Sequence, residues 1–323
     1  MRRRQALALG LAPLMAAPAL AQPAAWPNKP IRLVIPWPPG QQTDVVSRLV
    51  GDWLSRRLGQ AVVPENRGGA GGMIGTDMAA KAAPDGYTLL GASIGPITFG
   101  PLVNRPPYDV DRELATVASF GRGPYMLVVR PDFPAASAAA FVAALKAQPG
   151  KYTYASSGIG GAQHLLGAMF LARAGLEALH IPFQGSAAAM TALMAGQVDF
   201  GMETPAAAAA LVRDGKLRAL GQSLGRPSAL APGLPPLSEA ASVPDFDVGG
   251  WNGLMAPMGT PQPIVERLAA EVKAAFEVPE MRERLALAGL EAAPLGPEAY
   301  RAMLHRLRDE FGPVIRRLGI RAE

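Results

Sequence analysis

The stretch Ile31-Arg-Leu-Val-Ile-Pro-Trp-Pro-Pro-Gly-Gln-Gln-Thr-Asp44 is a short apolar run that ends in a proline- and glycine-bearing loop. Behind it Val46, Leu49, Val50 and Trp53 recur at helical spacing until Gly59. The pattern predicts strand, loop, helix. It recurs along the chain. Val62-Val63 opens a second strand, Met73 to Ala83 reads as helix, and Tyr87–Leu90 as a third strand after the Pro84-Asp85-Gly86 turn. Further strands are expected near 126–129, 152–155, 179–182, 198–202, 217–222 and 250–255. Helices are expected over 162–174, from Ser186, from Pro205 and from Pro297. Such alternation implies an α/β protein with mainly parallel sheets covered on both faces. Ligands bind such sheets at the carboxyl ends of strands, where helices begin.

Two strand-to-helix junctions share one design. Pro36 to Asp44 and Ala155-Ser156-Ser157-Gly158-Ile159-Gly160-Gly161-Ala162 are both loops of small or turn-forming residues that precede a helix. Each presents free backbone amides at a helix N-terminus, where the helix dipole favours an anion. Thr43, Ser156 and Ser157 add hydroxyls. Every such junction frees amides, so one alone says little. Two of them, about 115 residues apart on what read as separate lobes, point to a carboxylate held between domains.

The chain has 323 residues, 49% of them apolar, 18% charged and none cysteine. That length suits two domains or two lobes, and that composition excludes general disorder. Without cysteine there is no disulfide, thiolate metal site or thiol nucleophile. The segment 1–21, MRRRQALALGLAPLMAAPALA, has a basic start, an apolar run and small residues at Ala19 and Ala21. It reads as an export signal cleaved before Gln22, and Arg3-Arg4 hints at twin-arginine export. The run is too short for a spanning helix and holds Pro13 and Pro18. The mature chain is expected in the periplasm, soluble and without a lipid anchor. Removing Arg2, Arg3 and Arg4 leaves 28 basic residues against 26 acidic ones, a net charge of +2 in place of +5. With no basic run, nucleic acid is not an expected partner.

Other motifs weigh less. Gly91-Ala-Ser-Ile-Gly95 follows a strand and matches the nucleophile elbow of hydrolases, which makes a secreted serine hydrolase using Ser93 the competing reading. The elbow needs a helix beginning at the serine, and Pro96, Gly100 and Pro101 are expected to interrupt it. The glycines from Gly68 to Gly75 lack the rest of a phosphate-binding motif and read as a tight turn. His164, His180 and His305 are dispersed, so neither a metal nor a cofactor is expected.

The order Trp26-Pro27-x-Lys29-Pro30-Ile31-Arg32, Pro36-x-x-x-Gly40-x-x-Thr43-Asp44 and Glu65-Asn66-Arg67-x-Gly69-Ala70-Gly71-Gly72-x-Ile74-Gly75 carries a family likeness. It continues through Ala82 to Leu90, Tyr154 to Gly158, His164-Leu165, Gly215 to Leu220 and Ala256-Pro257-x-Gly259-Thr260-Pro261. The chain resembles the Bug-type (TctC-like) receptors of tripartite tricarboxylate transporters over about residues 26–320. The resemblance implies a type II periplasmic-binding-protein fold of two lobes. It also implies an organic anion gripped in the cleft by the two loops, often partly through water, and delivery to membrane permease subunits. The chain departs from the family's usual pattern at Gln41, Gly161, Ala162 and Glu203.

The expected organisation is therefore a signal peptide at 1–21, a first lobe from 22–123 and 227–323, and a second lobe from 124–226, acting as a monomer. Pro38, Gln41, Gln42, Thr43 and their amides form one jaw. Ser156, Ser157, Gly158, Gly161 and Ala162 form the other. Ser93 and the turn Gln184-Gly185-Ser186 line the cleft, and Glu203 meets an amine or hydroxyl. His164, in the first turn of its helix, joins the ligand set, with a packed or capping role as the alternative.

Overall fold

The computed structural model describes residues 26–103, 105–317 and 319–320. The export segment 1–21 and the cleavage point at Gln22 lie outside the described residues. The run at 31–35 is apolar at nearly every position because both of its faces are covered. Ile31, Leu33 and Ile35 of strand β1 (Ile31–Ile35) enter one core with Val46, Val50 and Leu54 of the helix Gln42–Leu58. Val34 points the other way, into a second core with Leu90 and Phe99, as the two-residue period of a strand requires.

Two sheets follow from this pattern. The first has six strands, β1, β2 (Val62–Asn66), β3 (Thr88–Ser93), β4 (Leu114–Gly123), β10 (Gly250–Pro257) and β11 (Glu291–Leu295), in the order β11-β4-β10-β3-β1-β2. The second has five, β5 (Met126–Val129), β6 (Thr153–Ser156), β7 (Leu179–Pro182), β8 (Phe200–Glu203) and β9 (Arg218–Gln222), in the order β7-β6-β8-β5-β9. In the first sheet β1, β2, β3 and β4 share one direction, and β10 lies reversed between β3 and β4. In the second, β6, β7, β8 and β9 share one direction, and β5 lies reversed between β8 and β9. The reversed strands β5 and β10 are those that arrive from the other lobe. Both sheets are therefore mixed, not mainly parallel: four strands in each share one direction, and β10, β11 and β5 run against them.

The chain returns to the first sheet later than expected. Residues 227–249 were placed with the first lobe, but they pack on the second. Gln222 donates its amide to Pro235 and Val248 donates to Ser223. Leu237 joins the second lobe's core, and the Phe246 ring lies 5.5 Å from that of Phe170. The first sheet resumes at Gly250.

A second correction concerns Ser93. A helical segment does begin immediately after it, with a wide turn over Gly95–Phe99 running into the helix Gly100–Val103. Pro96 sits in the first turn, where its missing N–H removes no helical hydrogen bond. The glycine cluster also acts at longer range. Gly71 has φ +63°, and a Cβ there would lie 2.2 Å from the Ile159 carbonyl oxygen of the other lobe. The two lobes touch through backbone at that point.

Candidate functional site

The carboxyl ends of β1, β3, β6 and β8 face one another across the lobes. Between them lies a small cavity. The first lobe lines it with Trp37, Gln41, Gln42, Thr43, Ser93, Ile94, Gly95, Trp251 and Asn252, the second with Tyr125, Ala162, Gln163 and Thr204. None of these is an acid, a basic residue or a histidine. The helices Gln42–Leu58 and Ala162–Ala174 both begin here. Their N-caps, Gln41 and Gly161, are extended and make no side-chain capping bond. Both helices therefore present open first-turn amides and the positive ends of their dipoles to one space.

On the first-lobe side, two hydroxyls are oriented by their neighbours. Asn252 Nδ2 donates to Thr43 Oγ1 at 2.8 Å, and Trp37 Nε1 donates to Ser93 Oγ at 2.9 Å. Each oxygen accepts from the protein, so each retains its own proton for an acceptor in the cavity. Asp44 stays with its loop, accepting from the Gly40 amide, Arg48 and Asn66. Gln42 departs from its expected role as a ligand donor. It lines the cavity, but Nε2 is committed to the carbonyls of Ala288 at 2.9 Å and Gly289 at 3.1 Å, where it ties down a turn.

On the second-lobe side, the expected hydroxyl donors are occupied. Ser156 Oγ lies 2.7 Å from His180 Nε2 and accepts from the Gly158 amide. Ser157 Oγ donates to Gln163 Oε1 at 2.7 Å. Gln163 Nε2 in turn donates to Glu203 Oε1 and to Ser186 Oγ, each at 3.2 Å. Glu203 also accepts the Thr204 amide at 2.7 Å, and burial raises its pKa above the usual carboxylate range. Ser156, Ser186, Glu203 and His164 therefore support the jaw from behind and do not line the cavity. His164 Nδ1 accepts the Gly160 amide at 3.2 Å, and its ring stacks on His180 with centroids 3.9 Å apart. Burial holds His164 down to about 4 and, with the neighbouring ring, His180 down to about 3.

The remaining expected residues fall elsewhere. Pro38, Ser157, Gly158, Gln184 and Gly185 line a larger neighbouring interlobe cavity, with Trp37 common to both spaces. Gly161 packs on the Trp37 ring, and Ala162 is the second-lobe residue that lands as expected. Sequence reading missed Trp37, Ile94, Gly95, Tyr125, Gln163, Thr204, Trp251 and Asn252. Asn252 carried a visible signal, as a polar residue inside the otherwise apolar run of β10.

No imidazole approaches Ser93. His164 and His180 stack in the other lobe, and His305 pairs with Asp111 on the surface. Ser93 accepts from an indole in place of donating to a base, so the elbow has a nucleophile's fold without its activation.

Residues 46–320 match the family described as tripartite tricarboxylate transporter family receptor. The chain is similar to Protein BugT of Bordetella pertussis (strain Tohama I / ATCC BAA-589 / NCTC 13251), 35% identical over 307 residues covering 94% of this chain and 93% of BugT. Among solved structures it is similar to the periplasmic binding protein BugD, with a TM-score of 0.86 and 31% identity, covering 92% of this chain and 100% of that one. It is also similar to R. palustris Rpa4515 with adipate, with a TM-score of 0.87 and 28% identity, covering 92% and 99%. The two-lobed α/β fold expected from the sequence is the fold of these proteins.

Proposed function

The chain belongs to the tripartite tricarboxylate transporter receptor family and is a solute receptor, not an enzyme, and from that premise we propose that it captures a small organic carboxylate between its lobes and hands it to membrane permease subunits. The observation that carries this reading is the convergence of two uncapped helix N-termini on one cavity lined by no acidic, basic or histidine side chain. A carboxylate there meets backbone amides, two helix dipoles and the hydroxyls of Thr43 and Ser93. It also lies in a low-dielectric space where those dipoles act strongly. The relative Rpa4515 is described with adipate, a carboxylate.

Capture works by closure. The lobes rotate about the strands that cross between them, and the backbone contact of Gly71 with Ile159 marks the closed limit. The receptor acts outside the cytoplasm as a monomer, released by cleavage before Gln22. Among the described residues no helix is long and apolar enough to cross a membrane.

A thermal-shift screen of mono-, di- and tricarboxylates tests the reading. A ligand at 100 times its Kd adds about 2.7 kcal/mol, a rise of several degrees at roughly 2–4 °C per kcal/mol. A panel in which no carboxylate raises the melting temperature contradicts it.

A further inference from the structure

Among the described residues, three buried side-chain atoms of residues at the cavity lack a partner, Gln41 Oε1, Trp251 Nε1 and Asn252 Oδ1. The indole N–H is a donor that suits an anion, whereas the Asn252 oxygen is an acceptor with no role in the anion site. Asn252 lies within β10 and is 1% exposed. Its Nδ2 donates to Thr43 Oγ1 at 2.8 Å and approaches the Ala92 carbonyl oxygen at 3.5 Å. Its Oδ1 is buried and has no hydrogen-bond partner, although the residue lines the cavity. The orientation of the amide follows from its surroundings, because reversing it would set Oδ1 against the Ala92 carbonyl oxygen.

We propose that Asn252 is a specificity-determining residue, whose Oδ1 accepts a hydrogen bond from a hydroxyl on the carbon next to the ligand's carboxylate, so that the receptor selects 2-hydroxy acids. This rests on the carboxylate reading above. Three features converge on it. The first is position: Oδ1 belongs to the same amide that holds Thr43, the second residue of the helix Gln42–Leu58, so the acceptor sits beside the seat of the carboxylate. The second is polarity. An amide oxygen repels a carboxylate and attracts a donor, so this atom does not serve a second acid group. The third is charge. An ammonium group would need an anion to offset its desolvation, and no acid lines the cavity, since Glu203 is bonded to Gln163 and Thr204 behind it. Gln41 Oε1, also unpartnered, lies near Gly185 of the other lobe and serves the contact between lobes.

A ligand without the hydroxyl leaves Oδ1 buried and unpaired, and sites built around such an acceptor discriminate strongly against the deoxy analogue. Calorimetric titration with matched pairs tests this: lactate against propionate, 2-hydroxybutyrate against butyrate, and malate against succinate, with alanine as the ammonium probe. The wild-type protein is expected to prefer the hydroxy acid by roughly 10-fold or more. Asn252→Leu is expected to bring that ratio near one. The ratio is the readout because loss of the bond to Thr43 weakens both members of a pair alike. Asn252→Ala supplies the same comparison if the leucine is not accommodated. Equal binding of both members by the wild type overturns the inference and leaves the carboxylate receptor standing. A preference that persists in the variants, or alanine binding as tightly as lactate, also overturns it. Failure of every carboxylate in the wider thermal-shift panel removes the underlying reading, and this inference with it.

Discussion

The two jaws are built alike and wired differently. Each is a loop of small or turn-forming residues at the end of a parallel strand, opening a helix whose N-cap makes no side-chain bond. In the first lobe the neighbouring side chains donate to the hydroxyls of Thr43 and Ser93, whose own protons stay available to a ligand. In the second lobe the hydroxyl of Ser157 is turned inward to hold Gln163, and Ser156 is held by His180 and Gly158. That jaw offers chiefly its backbone. Two loops of turn-forming residues thus give a donor set on one side and an amide cradle on the other. What separates them is the partner each hydroxyl finds far away in sequence.

The largest expected effect comes from breaking the meeting of the jaws. Gly71→Ala places a methyl 2.2 Å from the Ile159 carbonyl oxygen and forces a residue with φ +63° to carry a side chain. Overpacking of this kind costs about 1–3 kcal/mol, so affinity is expected to fall by roughly 5- to 150-fold. In small-angle scattering the ligand-saturated variant should keep a larger radius of gyration than the wild type. Unchanged affinity and compaction would show that closure does not bring these backbones together.

The next comparison sets the jaws against each other directly. Thr43→Val keeps the shape of the side chain and removes its donor. A hydrogen bond to a charged group is worth about 1.5–3 kcal/mol, so binding should weaken by roughly 10- to 100-fold. Because the buried Asn252 Nδ2 loses its partner, the empty protein should also lose about 1–3 kcal/mol of stability. Ser157→Ala should leave affinity nearly intact. It strands Gln163 Oε1 in the interior and lowers unfolding stability by about 1–3 kcal/mol, while affinity changes by only about 3-fold, a shift of under 1 kcal/mol. Equal losses of affinity in calorimetry would erase the asymmetry.

A smaller effect comes from acid. His164 and His180 are held neutral in the folded state, with pKa values lowered from 6.5 to about 4 and about 3. The unfolded chain therefore binds more protons between those values and 6.5. Stability is fully present above about pH 6.5 and declines as pH falls toward the folded values. The melting temperature of the empty protein should drop between pH 7 and pH 5. The drop should be shallower in His180→Gln, which loses one of the two groups. A slope unchanged by that substitution would remove the histidine stack as the acid-sensitive support of the second jaw.

Local pattern made the scaffold legible. The strand and helix around the 36–44 loop, and those around the 155–162 loop, followed from apolar spacing and turn residues alone, and with them the two helix N-termini. Side-chain wiring was not legible, because it depends on contacts between distant residues. Thr43 meets Asn252 across 209 positions, and Gln163 meets Glu203 across 40. In the sequence Gln42 reads as a free amide; in the fold it is taken up by the carbonyls of Ala288 and Gly289, 246 and 247 positions away. Nothing in the local pattern of residues 227–249 assigns them to the second lobe, because their burial rests on a few isolated residues, Leu237 and Phe246 among them, with no sustained period.

The central claim is that a carboxylate is held by neutral donors at two helix ends. Calorimetric titration of one acid that stabilises the protein, alongside its primary amide at the same pH, tests it most directly. Removing the charge while keeping size and shape should weaken binding by at least about 10- to 100-fold, the loss expected for one charge-assisted hydrogen bond. An amide that binds as tightly as the acid would contradict the account.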